Sequence, residues 1–73
     1  MTLHEYIKNR GRGAIAIIAK GIQASPPDVS RWASGVRPCP PWRCVAIEEF
    51  TSGLVTRKEL RPHDFKKHWP EIQ

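Results

Sequence analysis

The stretch from Ile15 to Gly35, IAIIAKGIQASPPDVSRWASG, leaves this chain few ways to fold. Ile15, Ile18, Ala19 and Ile22 recur at i, i+3, i+4 and i+7, which is one face of an amphipathic helix. Val29, Trp32 and Ala33 set up a second such face a few residues later. That second helix carries a strong start signal. Ser25 offers an oxygen to free backbone N–H groups, Pro26 brings a preset φ and no N–H to leave unsatisfied, and Asp28 stands at the third helical position. Gly35 ends it, because glycine accepts the left-handed conformation that closes a helix. The turn Gln23-Ala24 is too short for the two helices to lie antiparallel, so a steep crossing is expected, with the small Ala19 opposite Val29 allowing close approach.

Two helices and a turn occur in many small helical proteins, and the outward face is what distinguishes this pair. Pro26, Pro27, Ser30, Arg31 and Ser34 are short or basic, and a helix must be free of bulk there to enter a major groove. The charge distribution agrees. The chain has 73 residues and a net charge of +5. Residues 6 to 47 carry Lys8, Arg10, Arg12, Lys20, Arg31, Arg37 and Arg43 against Asp28 alone, whereas the bases and acids of residues 48 to 73 cancel. The excess therefore surrounds the two-helix unit, and an anionic polymer is the natural partner, the alternative being a merely soluble basic surface.

The remaining segments read as further short helices. Thr2-Leu3-His4-Glu5 is a capping box that opens a helix to about Asn9, and Gly11-Arg12-Gly13 breaks it. Pro38-Cys39-Pro40-Pro41 is a stiff connector into a helix near 41 to 51, with Cys44, Ile47 and Phe50 facing the core and Gly53 ending it. Thr56-Arg57-Lys58-Glu59 is a second capping box, opening a single turn to Leu60. Pro62 is expected to start a last helix with Phe65 and Trp69 as i, i+4 neighbours. The fold class is all-α: a compact bundle of about five short helices containing a helix-turn-helix, forming one domain over residues 1–73 with a modest core.

Other chemistries find little support. No segment approaches the roughly 20 apolar residues that span a bilayer, and MTLHEY lacks the pattern of a secretory signal, so a cytoplasmic, nucleoid-associated protein is expected. Cys39 and Cys44 do not make a zinc site, which takes about four ligands, because no histidine is placed to complete it. Cys44 reads as a small buried side chain and Cys39 as an exposed loop thiol. No nucleophilic triad, phosphate-binding glycine loop or carboxylate pair is present, so neither catalysis nor a cofactor is expected.

Taken together, SPPDVSRWASGVRPCPPWRCVAIEEFTSGLVTRKELRP closely resembles the YdaS-type, Cro-like helix-turn-helix proteins of phages and prophages. The shared features are the Ser-Pro-Pro turn at 25–27, Val29 and Trp32, Gly35 then Arg37, Arg43-Cys44, Ala46-Ile47-Glu48, Gly53 and Leu60-Arg61-Pro62, at the same spacing. The likeness covers residues 14 to 70. One departure stands out: Gln23 occupies the turn position where the family has glycine, at a cost of about 1 kcal/mol if the backbone is left-handed, unless Gly21 takes up the strain. The resemblance implies a five-helix domain of the Cro and lambda-repressor superfamily that binds operator DNA as a homodimer and represses transcription. Some relatives are described as antitoxins.

On that basis the helix from Pro26 to Ser34 enters the major groove of double-stranded operator DNA. Arg31 is the candidate for bidentate contact with guanine, Ser30 for a base edge, and Pro26 with Pro27 for a thymine methyl. Ser25 and Ser34 are expected on phosphate, flanked by Arg12, Lys20, Arg37 and Arg43 as backbone clamps. Trp32 and Val29 are assigned to the core. Leu54, Val55, Phe65 and Trp69 are the candidate dimer interface, the alternative being that they fold back on the monomer. The other reading of the whole chain is an antitoxin or similar interaction module that binds a partner protein through its C-terminal third.

Overall fold

The first residues are organised by reciprocal capping. The Thr2 hydroxyl accepts from the Glu5 backbone N–H at 3.1 Å, and the Glu5 carboxylate accepts from the Thr2 N–H at 2.9 Å. Two of the four donors that a helix start leaves unsatisfied are thereby paired. A computed structural model describes residues 1–72, and among them the order is α1 (Leu3–Arg10), α2 (Ala14–Ile22), α3 (Pro26–Ser34), α4 (Pro41–Phe50), α5 (Arg57–Leu60) and α6 (Phe65–His68). The all-helical class is as expected, with six helices where about five were anticipated.

The sixth is the single turn expected after Thr56, which forms as α5. The last helix starts later than expected, and not at Pro62. Residues 61–64 form a turn in which the Asp64 N–H donates to the Arg61 carbonyl at 3.3 Å, and α6 begins only after Asp64. The Arg61 and Asp64 side chains pair across this turn. Trp69 consequently lies just past α6, as its C-cap.

The core is assembled on α2. Ile18, Ala19 and Ile22 are buried and meet Leu3 and Tyr6 of α1, Val29 of α3, and Cys44 and Ile47 of α4 in one cluster, which Val55 completes. Helix α2 packs against both α3 and α4, so it positions the outward-facing α3 relative to the rest. The approach of α4 requires Gly21: a β-carbon there would lie 2.1 Å from the Phe50 ring. Gly21 is thus a packing residue inside α2 and takes up no strain at the turn.

The left-handed residue is Gln23 itself, at φ 59° and ψ 43°. Its N–H and that of Ala24 bond back to the Lys20 and Ala19 carbonyls at 3.3 and 2.8 Å. Two residues later Ser25 caps α3, accepting from the Asp28 N–H at 3.3 Å, with Pro26 and Pro27 in the first turn. Gly35 closes α3 in the left-handed region. A corner legible in no motif follows α4: buried Thr51 donates to the Ile47 carbonyl at 2.9 Å and accepts from the Val55 N–H at 3.1 Å.

Because Gln23 carries the conformation that glycine adopts freely, Gln23→Gly is expected to stabilise the fold by up to about 1 kcal/mol. For a domain this small that is a rise of about 4–8 °C in Tm. Thermal melting followed by circular dichroism checks it, and an unchanged or lower Tm contradicts strain at this turn.

Candidate nucleic-acid interface

Helix α3 presents two unlike faces. Val29 is fully buried, and Trp32 and Ala33 pack half-buried against the core. Pro26, Pro27, Ser30, Arg31 and Ser34 are all exposed. Positions 27, 30, 31 and 34 follow i, i+3, i+4 and i+7, so the small and basic residues form a continuous stripe along the outer surface. Ser30 has no partner among the described residues. The Ser34 hydroxyl donates to the Arg31 carbonyl at 3.2 Å, and the Ser25 hydroxyl is the helix cap. Both serine oxygens are therefore engaged with the helix backbone, each keeping hydrogen-bonding capacity for a further group.

Arg31 is not solitary. Its Nη1 lies 3.3 Å from the Asp28 carboxylate, one helical turn earlier, with both side chains about half exposed. The sequence singled out Asp28 only as a helix-start signal. Its i, i+3 spacing from Arg31 was the signal that the two side chains meet.

The flanking cations divide into two groups. Arg12 (between α1 and α2), Lys20 (on α2) and Arg37 (after α3) are exposed, and their side chains make no hydrogen bond or ion pair among the described residues. Arg43, the fourth expected backbone clamp, is already engaged within the chain. Its Nη1 donates to the Ile22 carbonyl, and its guanidinium lies over the Trp42 ring at 4.0 Å. Helix ends leave carbonyls without intrahelical partners, and Arg43 satisfies one at the end of α2. The stacked Trp42 is 65% exposed, and Ile17 of α2 is 63% exposed. Neither drew notice in the sequence.

The C-terminal third turns inward. Of the four candidate dimer residues, Val55 is fully buried, Phe65 is buried and Trp69 packs half-buried on the core beneath the Arg57 guanidinium. Only Leu54 is open, at 54% exposure. The alternative in which these side chains complete the monomer holds for Val55, Phe65 and Trp69, because so short a chain needs them to close its core. Several charges of this region also pair internally: Arg57 with Glu48 at 2.9 Å, Arg61 with Asp64 at 2.7 Å, and Glu59 with the Met1 ammonium at 2.8 Å.

Cys39 was expected to be exposed. It is buried instead, because Arg61 donates to its carbonyl at 2.7 Å and folds the C-terminal third over the proline-rich connector. The Cys44 thiol donates to the same carbonyl at 3.4 Å. A hydrogen bond with Cys44, with burial added, pushes the Cys39 thiol far up, so it stays protonated. Among the described residues no group of three or more His, Cys, Asp or Glu side chains is arranged to hold a metal ion.

This geometry defines the class of protein: a small helical bundle in which α2 and α3 form a helix-turn-helix unit, its second helix open on the outer face and flanked by exposed cations. The family model described as "Bacterial toxin YdaS" matches residues 7–68. The chain belongs to the YdaS family. It is 46% identical over 50 residues to a protein of Escherichia coli (strain K12) named "Putative transcriptional regulator YdaS", a match that takes in 68% of this chain and 51% of that protein. The chain thus spans about half the length of the curated relative it matches. The relative's name describes a regulator, while the family description carries the word toxin. No helix among the described residues is long and apolar enough to cross a membrane.

The ion pairs of the C-terminal third set an acid limit on the fold. Hydrogen bonds from Arg61 hold the Asp64 carboxyl below the usual carboxylate range. Burial pushes Glu59 up, but bonds from the Met1 ammonium and Thr56 outweigh it and hold Glu59 low. A folded-state pKa below the unfolded one stabilises the fold above the unfolded carboxylate value of about 4, and that contribution is lost as pH falls through the folded value. Tm should therefore drop as the pH falls below about 4. Asp64→Asn should melt lower than wild type at neutral pH, with the gap closing in acid. A gap that stays constant with pH contradicts the ion-pair account.

Proposed function

We propose that this chain is a sequence-specific DNA-binding transcriptional regulator, a Cro-like repressor of phage or prophage type, that inserts α3 into the major groove of its operator. The observation that carries this reading is the exposed stripe of Pro27, Ser30, Arg31 and Ser34 on a helix whose opposite face is locked into the core. Arg12, Lys20 and Arg37, without internal partners, supply the flanking phosphate contacts. Arg31 offers the paired donors that match guanine O6 and N7, Ser30 reaches a base edge, and Pro26 with Pro27 gives apolar contact to a thymine methyl. Ser25 and Ser34 approach phosphate at the two ends of the helix. One recognition helix reads a half-site, so the operator is palindromic and two copies bind about 34 Å apart as a homodimer. With Val55 and Phe65 buried and Trp69 on the core, only Leu54 of the candidate dimer surface remains available to a second copy.

The family description favours a second reading, in which the chain acts through a protein partner, as a toxin or antitoxin. The internal pairing of Arg57, Arg61, Glu59 and Asp64 weighs against docking through those four charges, while Lys66, Lys67 and Glu71 stay exposed.

Fluorescence anisotropy separates the readings. Binding to the DNA flanking its own gene is expected to exceed binding to a scrambled duplex a thousandfold or more at near-physiological salt. Equal, salt-sensitive binding to both duplexes contradicts the proposal and turns attention to a protein partner. Arg31→Ala should reduce discrimination between operator variants by about 5- to 150-fold, equivalent to about 1–3 kcal/mol. Uniform weakening on every duplex with a shallower salt dependence would instead place Arg31 on phosphate.

A further inference from the structure

Asp28 is the sole acid between Glu5 and Glu48, and it sits on the helix that faces the proposed polyanion. A carboxylate there weakens binding to any phosphate backbone, so its presence needs a physical reason. Helix capping is an incomplete one. The group that bonds the Ser25 cap is the Asp28 backbone N–H, and among the described residues the only hydrogen-bond partner of its carboxylate is Arg31. The dipole of α3 favours an acid in the first turn, but at an exposed position that effect is small and screened by salt. An exposed i, i+3 ion pair also contributes little to folding.

We infer that Asp28 is a specificity-determining residue that positions Arg31 for guanine. The inference rests on the DNA-reading function proposed above. With Nη1 engaged by the Asp28 carboxylate, the Nε and Nη2 donors remain unengaged, and that edge is the fork that fits guanine O6 and N7. The second carboxylate oxygen is an acceptor. In the major groove it is satisfied only by an exocyclic amine, the N4 of cytosine or the N6 of adenine. At a matched site both members of the pair are therefore satisfied. At a mismatched site Arg31 is drawn to phosphate, and Asp28 is left uncompensated in a strongly negative field. The acid thus acts mainly by penalising wrong sequences, and discrimination is achieved through the weaker binding of competitors.

The test uses the full chain and a duplex selected by the wild-type protein from a randomised library. Dissociation constants are measured on that duplex and on a scrambled one, at fixed salt, for wild type, Asp28→Asn, Asp28→Ser, Arg31→Ala and the Asp28→Asn/Arg31→Ala double variant. Melting temperatures confirm folding, and the serine variant serves if the asparagine variant does not fold. The Asp28 variants are expected to bind the scrambled duplex at least as tightly as wild type, with the preference for the selected duplex lowered tenfold or more. In the Arg31→Ala background, removing Asp28 should change the preference far less than it does in wild type, because the part of its effect that runs through Arg31 is already gone; an equal change in both backgrounds overturns the inference. A preference within twofold of wild type in the folded Asp28 variants overturns this inference alone. A wild-type protein that selects no sequence overturns the DNA-reading function and this inference with it.

Discussion

The way α2 ends governs the geometry of everything outside the core. Its last carbonyls and the first donors of α3 lie within a few residues, and three local devices settle them together. Gln23 turns left-handed, Arg43 reaches across from α4 to the Ile22 carbonyl, and Ser25 caps the next helix. Each satisfies backbone groups that would otherwise be left unpaired. Gly21 then lets α4 approach closely enough for Arg43 to reach, since any side chain there would collide with Phe50. The direction of α3 is thus fixed by hydrogen bonds at its start and by Val29 buried beneath it, while its outer face remains open.

Charge is sorted by the same construction. Toward the C-terminus, Glu48, Arg57, Glu59, Arg61 and Asp64 are partnered within the chain, where they tie α5 and the turn before α6 to α4, the N-terminus and the Cys39 carbonyl. Around the two-helix unit, Arg12, Lys20 and Arg37 have no such partners. A cation without an internal partner costs the fold little when it faces water and is available to an anionic polymer. Glu48 and Arg61 thus tie the fold together.

Much of this was legible in the sequence because it depends on local spacing. The two capping boxes, the proline-led start of α3, its glycine end and the inward positions Ile18, Ala19, Ile22 and Val29 are short-range patterns, and the structure places them accordingly. Longer-range relations were not legible. The sequence gives no sign that Arg61 reaches Cys39, 22 residues away, so Cys39 read as exposed. Likewise Arg43 read as a surface cation because its partner is a backbone carbonyl on another helix. Pro62 matched a helix start, yet residues 61–64 form a turn and α6 begins only after Asp64. Of the candidate site, the outer face of α3 followed from periodicity alone, whereas the Asp28 carboxylate was seen as a helix signal and not as the partner of Arg31.

The central claim is that the outer face of α3 is the surface that meets DNA. The most direct measurement is a titration of 15N-labelled protein with the duplex flanking its own gene, followed by backbone and arginine side-chain chemical shifts. The account predicts the largest changes at Asp28, Ser30, Arg31 and Ser34, with smaller ones at Arg12, Lys20 and Arg37 and little change in the paired segment from Arg57 to Asp64. Changes centred on that C-terminal segment, with α3 unmoved, would contradict it.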